Sequence, residues 1–305
     1  MAALGRWRDA AARRMLGIDI RRMNGDLERL EDRLDEIAAC RGRFAHVERR
    51  AEALTEALRR MRDRTPDRIV ELEALRASRR YHSIFDESEP LISVRIASYR
   101  KTDELVDVAI ASVLGQSYER FEIVVVNDGP NERTRRAIDQ LSDSRIQYHE
   151  LPERSVYPED SHHRWMVAGS PGMNRAADLS SGAWLAPLDD DDEFTPDHLE
   201  KLLDLARGRR AELAYGALVQ RNLINSTEAR IWSSPPAVSH FSFQGAIYLR
   251  DLHSIFRYDE SSWLVEEPGD WNLIRRMCAA GVVVEGTPEI VAIMNQVPYT
   301  HKAIE

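Results

Sequence analysis

The chain is expected to fold as an α/β domain with a mostly parallel central sheet, preceded by a long α-helical arm. Three observations lead there. Of the chain's 42 Lys and Arg and 51 Asp and Glu, residues 1–80 hold 20 and 15, so a basic N-terminal part precedes an acidic remainder. Opposite charge balance marks two units. Apolar residues in the first part recur every three or four positions, whereas beyond residue 90 short β-branched runs alternate with helical patterns.

In the arm, Leu27, Leu30, Leu34, Ile37, Cys40, Phe44, Val47, Ala51, Leu54, Leu58 and Met61 step by 3 or 4, with one 3,3 pair at Ile37. This is a narrow two-sided seam with a local phase slip, as coiled coils show. Pro66 interrupts the pattern, and Ile69, Leu72 and Leu75 restart it. A seam flanked by charge suits self-association, so a homo-oligomer is expected; a hairpin folded on itself or on the following domain is the alternative. The arginine-rich flanks are interleaved with carboxylates, which fits a solvated coil face rather than a nucleic-acid surface. Residues 1–22 place Leu4, Trp7, Ala11, Met15 and Ile18 on one helical face, with Arg6, Arg8, Arg13, Arg14, Arg21 and Arg22 elsewhere. Such a helix extends the coil, or makes peripheral contact with an anionic membrane.

The helical arm, 1–85, is expected to end at an acidic linker, 86–90, and the second domain to occupy 91–305. Residues 91–97 (LISVRIA) and 121–126 (FEIVVV) read as buried strands, and 145–149 (RIQYH) as a third. Between them 102–115, opened by Thr102 and closed by Gly115, and 131–141 read as helices. Strands alternating with helices argue for a parallel sheet, which binds ligands beyond the carboxyl ends of its strands. Ser98, Tyr99, Arg100, Asn127 and Asp128 fall there. A long irregular stretch, 151–171, is expected to be functional or mobile. Then follow a helix at 172–181, a strand at 183–188 (AWLAPL) and the run Asp189-Asp190-Asp191-Asp192-Glu193. A helix at 195–206, another at 271–280 and a short strand at 282–284 complete the pattern.

Two isolated cysteines, Cys40 and Cys278, make neither a disulfide framework nor a zinc site. No apolar run is long enough for a transmembrane helix. The arginine-interrupted start does not read as a secretory signal. A cytoplasmic location, at the inner membrane face if the first helix binds lipid, is the expectation.

Four adjacent carboxylates repel one another, and at a strand end they suit a hard divalent cation. An exposed acidic turn that caps the next helix is the bland alternative. An EF-hand is excluded because Phe194 stands where that loop needs Gly.

The segments SVRIASYRKTDEL, VVVNDG, NRAADLSSGAWLAPLDDDDEFTPDHLEKL and EPGDWNLIRRMCAAG, in this order, resemble the landmarks of family 2 glycosyltransferases. The resemblance covers residues 90–290 and implies the GT-A fold, a nucleotide-diphospho-sugar transferase sandwich. It also implies transfer of a sugar, with inversion, from a nucleotide-sugar donor to an acceptor hydroxyl whose identity the sequence does not show. By the same resemblance Asp191 is the direct ligand of Mn²⁺ or Mg²⁺, and Asp189 lies near the ribose or the metal, with Asp190 beside it. Asp128 and the segment Ala97 to Tyr99 are matched to the base, most simply uracil, and to the ribose. Asn174 matches the Asn of the family's Arg-Asn pair, although Met173 stands where Arg is common. Asp270 aligns with the catalytic base, and Gly269 takes the usual Glu position, so Glu267 becomes the second catalytic candidate. A nucleotidyltransferase is disfavoured by the absence of Gly from Ser98-Tyr99-Arg100-Lys101. A coiled-coil scaffold carrying an inactive transferase-like domain is the remaining alternative.

Overall fold

The computed structural model describes residues 20–296, apart from some side chains of residues 20–50. Residues 1–19 of the first amphipathic segment and the polar tail residues Tyr299, His301 and Lys302 lie outside them, as do the side chains of Ile37, Cys40 and Phe44. The chain divides between Arg59 and Arg60 into two units. Helix α1 (Ile20–Asp63) holds all the described residues of the first, and its last residues, from Arg60 on, belong to the second. Leu27, Leu30, Leu34, Val47 and Leu54 of the heptad-like seam are exposed there in the single chain.

The second unit starts ahead of the acidic linker. Helices α2 (Thr65–Arg76) and α3 (Arg79–Ile84) belong to it. Leu72, Tyr81, Ile84 and Phe85 are buried in the main core, which removes them from any coil seam. Glu212, fully buried, anchors both helices. It accepts from Arg76 Nε and Nη2 at 2.7 Å each, from the Tyr81 hydroxyl at 2.9 Å and from the Val283 amide at 2.8 Å. Burial and the adjacent carboxylate push the Tyr81 phenol up to about 12.

A nine-stranded sheet forms the centre, in the order β3-β2-β1-β4-β8-β6-β9-β5, with β7 paired to β6. Strands β1 (Ile92–Ser98), β2 (Phe121–Asn127), β3 (Ile146–Glu150) and β4 (Trp184–Asp189) are mutually parallel, as the apolar runs require. Beyond β4 the sheet is mixed. Strand β8 (Ala246–Leu249) is antiparallel to both β4 and β6 (Leu213–Asn222), β6 is parallel to β9 (Val284–Gln296), and the short β5 (Glu193–Phe194) and β7 (Glu228–Ile231) are antiparallel to β9 and β6 respectively.

The helix expected at 102–115 contains a π-helical stretch, Leu105–Ile110, between α-helical Thr102–Glu104 and Ala111–Leu114. The register aligns Ala97 with Val126 on one side and Asp189 on the other, so the carboxyl ends of β1, β2 and β4 form one edge. Helix α4 (Ser170–Leu179) lies close against that edge. A Cβ at Gly172 would stand 3.0 Å from the Ala97 methyl and 3.5 Å from the Val126 carbonyl, so glycine permits this approach. Within 151–171 the chain forms one helical turn pair, Ser161–Val167, capped by Asp160.

Candidate functional site

The acidic turn leaves β4 at the sheet edge, and each carboxylate has its own partner. Asp190 accepts from Ser98 Oγ at 2.9 Å and from the Tyr99 amide at 3.2 Å, which ties the turn to the end of β1. Asp191 accepts from Lys101 Nζ at 2.6 Å, and Asp190 lies 3.6 Å from the same ammonium. Asp192, buried, accepts from the Asn295 amide at 2.7 Å, while Asn295 Nδ2 donates to the Asp191 carbonyl at 3.0 Å. Asp189 accepts from Gln244 Nε2.

This packing is electrostatically costly. Burial, then repulsion from Asp270, Asp191 and Asp190, pushes the Asp189 carboxyl up to about 7. Burial with Asp189 and Asp191 nearby raises Asp192 to about 9, and burial, relieved by Lys101, raises Asp190 to about 6. Although burial opposes its charge, Lys101 is held above the ordinary lysine range by Asp190 and Asp191. The ammonium therefore acts as the local counter-cation.

Asp270 lies at the start of helix α5 (Gly269–Ala279), where Pro268 is the capping residue. Its carboxylate does not cap the helix. It accepts from Ser242 Oγ at 2.7 Å, from the Phe243 amide at 3.0 Å and from the Tyr258 hydroxyl at 2.8 Å. The next residue of that turn, Gln244, donates to Asp189. Three consecutive residues, Ser242 to Gln244, thus hold Asp189 and Asp270 in one site.

Glu267 points elsewhere. It is buried and accepts from Asn272 Nδ2 at 2.8 Å and from Arg275 Nε and Nη2 at 2.8 Å each, and Arg275 also bridges to Asp63 at 2.7 Å. The structure thus gives it bonds within its own helix segment and none to Asp189 or Asp270.

Asn174 is likewise committed. Its Oδ1 accepts from the Tyr258 amide at 3.0 Å and its Nδ2 donates to the Tyr258 carbonyl at 3.1 Å, so it sets the backbone of the residue that holds Asp270. Met173 is buried, and its carbonyl is 3.5 Å from Nη1 of Arg95, a fully buried arginine that also faces the rings of Tyr258 and Tyr248 at 5.1 and 5.9 Å.

Beyond the end of β2, Asp128 is covered by the loop that follows β3. Its Oδ1 accepts from the Ser155 amide and its Oδ2 from the Tyr157 hydroxyl, both at 2.8 Å. The guanidinium groups of Arg154 and Arg100 lie 4.3 and 4.9 Å from the centre of the Tyr99 ring. Ala97 sits beneath Gly172. Gln244, Lys101, Arg95, Tyr157 and Tyr258 were not singled out for these roles from sequence. Lys101 alone carried a signal, as the cation following the first strand.

Among the described residues no group of three or more His, Cys, Asp or Glu side chains is arranged to hold a metal ion. Two carboxylates backed by a donor's phosphate oxygens would still suit Mg²⁺ or Mn²⁺, which commonly use few protein ligands. The fit rests on the hard oxygens of Asp189 and Asp191, with an ammonium already balancing the cluster.

Comparison with solved structures shows a shared fold. The Staphylococcus aureus protein TarS, residues 1–349 in complex with UDP, shares the fold with a TM-score of 0.53 at 13% identity, over 68% of this chain and 61% of that one. The sequence model of glycosyl transferase family 2 matches residues 93–266, and the chain belongs to that family. Similar curated proteins include the Bacillus subtilis putative teichuronic acid biosynthesis glycosyltransferase TuaG, 30% identical over 42% of this chain and 46% of its own length. Another is the Escherichia coli UDP-Glc:alpha-D-GlcNAc-diphosphoundecaprenol beta-1,3-glucosyltransferase WfgD, 26% identical over 41% of this chain and 45% of its own. The chain thus matches less than half the length of either relative.

Proposed function

We propose that this protein transfers a sugar from a nucleotide-sugar, a UDP-sugar in the first instance, to an acceptor hydroxyl with inversion. The observation that carries the reading is the turn Ser242 to Gln244, which holds Asp270 and Asp189 side by side. Asp270 is the base that takes the proton from the attacking hydroxyl, with Tyr258 fixing its orientation. Asp191 and Asp189 would hold Mn²⁺ or Mg²⁺ together with the donor diphosphate, and Asp190 steadies the turn against β1. When bound, the cation neutralises charge on the departing nucleoside diphosphate. Lys101 yields Asp191 to it or contacts the diphosphate itself.

Asp128, Ala97 and Tyr99 bind base and ribose. Asn174 acts by positioning Tyr258, and Glu267 by anchoring the start of helix α5. The exposed seam of α1 supports a homo-oligomer, with no nucleic-acid role. No helix among the described residues is long and apolar enough to cross a membrane. A cytoplasmic enzyme with peripheral contact at the inner membrane face agrees with the relatives named above, one of which acts on a lipid-linked diphosphate.

Calorimetric titration with UDP-, GDP- and dTDP-sugars, with and without Mn²⁺, tests the proposal beside an Asp191→Ala variant. Binding of one donor that requires both the metal and Asp191 is expected. A folded protein that binds none of them is not a transferase of this kind.

A further inference from the structure

A second pocket, of about 370 Å³, lies within the unit that begins at Arg60. Arg62, Arg64, Arg68, Arg257 and Arg276 line it, with Tyr258 and a single acidic residue, Asp259. That carboxylate is already taken by Arg62, whose Nε donates to it at 3.0 Å. Arg257 is held in a two-pronged pair by Asp178 at 2.6 and 2.9 Å. Arg64 and Arg68 make only i,i+3 pairs on exposed helix surface, with Asp67 and Glu71, and such pairs are weak.

Arg276 differs from these. It is 7% exposed and has no carboxylate partner among the described residues. Nε donates to Asn272 Oδ1 at 2.8 Å and Nη2 to the Arg257 carbonyl at 2.6 Å, which leaves Nη1 for the pocket that the residue lines. Burial lowers its pKa to about 10; the carboxylates of Asp259 and Asp63 work against this, and the cations Arg275 and Arg68 add to it. No carboxylate hydrogen-bonds this most buried guanidinium of the wall among the described residues.

We propose that this pocket binds a phosphate or diphosphate group. Guanidinium forks match the paired oxygens of phosphate, and several converging forks discriminate it from smaller anions. Tyr258 belongs to both this pocket and the Asp270 site, so a ligand here would lie one side chain from the candidate base. The phosphate could be carried by a lipid headgroup or by a free phosphorylated compound.

Calorimetry of the full chain with sodium pyrophosphate in EDTA tests this without the donor site's cation. The comparison is Arg64→Asn with Arg68→Gln, because Asn tolerates the left-handed φ of 48° at residue 64. Wild type should bind, and the double variant should bind at least about tenfold more weakly, while UDP binding in Mn²⁺ is unchanged. Should that variant misfold, Ser254→Glu brings a carboxylate to the same wall and should produce the same loss. No binding by folded wild type, or equal binding by the variants, overturns the proposal. Vesicles of phosphatidylglycerol against phosphatidylcholine identify the source. Capture that pyrophosphate displaces and the double variant loses assigns a headgroup, and pyrophosphate binding without such capture assigns a free compound. Failure of UDP to bind would count against the transferase reading and leave the pocket's result standing.

Discussion

Tyr258 is gripped at both ends: Asn174 holds its backbone amide and carbonyl at 3.0 and 3.1 Å, and its hydroxyl donates to Asp270 at 2.8 Å. The candidate base is therefore oriented by a residue of helix α4 that does not touch it. Tyr258→Phe keeps the ring against Arg95 and removes only the hydroxyl. Loss of one hydrogen bond to a charged group should lower kcat about 10- to 100-fold with little change in donor KM. Steady-state kinetics with the donor identified by calorimetry would check it; an unchanged kcat would remove the Tyr258 hydroxyl from the orienting role.

Tyr157 and Ser155 occupy the carboxylate of Asp128, the group matched to the base. If the donor's base needs that carboxylate, the loop competes with it. Tyr157→Phe should then bind UDP about 2- to 10-fold more tightly, the worth of one net hydrogen bond. Weaker binding would instead make Tyr157 part of the base pocket.

The acidic turn should make the metal-free protein less stable as pH rises. Asp189 and Asp192 titrate at about 7 and about 9 when folded, against about 3.9 for a free aspartate. The folded state then binds protons more tightly than the unfolded one, so unfolding free energy falls as pH climbs from about 4 toward 9. Scanning calorimetry in EDTA should show Tm dropping over this window, and the drop should shrink in Asp192→Asn. Mn²⁺ should raise Tm more at pH 8 than at pH 5; equal shifts would place the cation elsewhere.

Glu212 collects four donors with no exposure to solvent. Glu212→Leu would strand Arg76 and release the helices that precede β1, at a cost of about 3–5 kcal/mol. Chemical denaturation should show that loss, with donor affinity retained below the new midpoint.

The parallel half of the sheet was legible because strands buried on both faces read as unbroken apolar runs, as in FEIVVV and AWLAPL. The other half was not. β6 and β8 passed without a strand assignment, and β9 was recognised only at its start. Its sequence, VEGTPEIVAIMNQ, carries Gly, Pro and two Glu, and β-bulges shift its register against β6. Asp189 to Asp192 and Asp270 could be picked out as chemistry-bearing residues. The partners that hold them could not, since Gln244 and Asn295 act on carboxylates 55 and 103 positions away. Glu267 shows the converse: its place in the motif suggested catalysis, while Arg275, eight residues on, engages it.

Asn295, near the end of β9, clasps the acidic turn through its amide and its side chain. A ribosome that has completed the first four strands and all four aspartates has therefore not yet made a finished acidic turn. The turn is locked only when Asn295, 103 residues after Asp192, arrives as β9 docks beside β6 and β5. A nascent or C-terminally clipped chain would carry all four aspartates and lack the clasp, so the proposed site is withheld until β9 has been made.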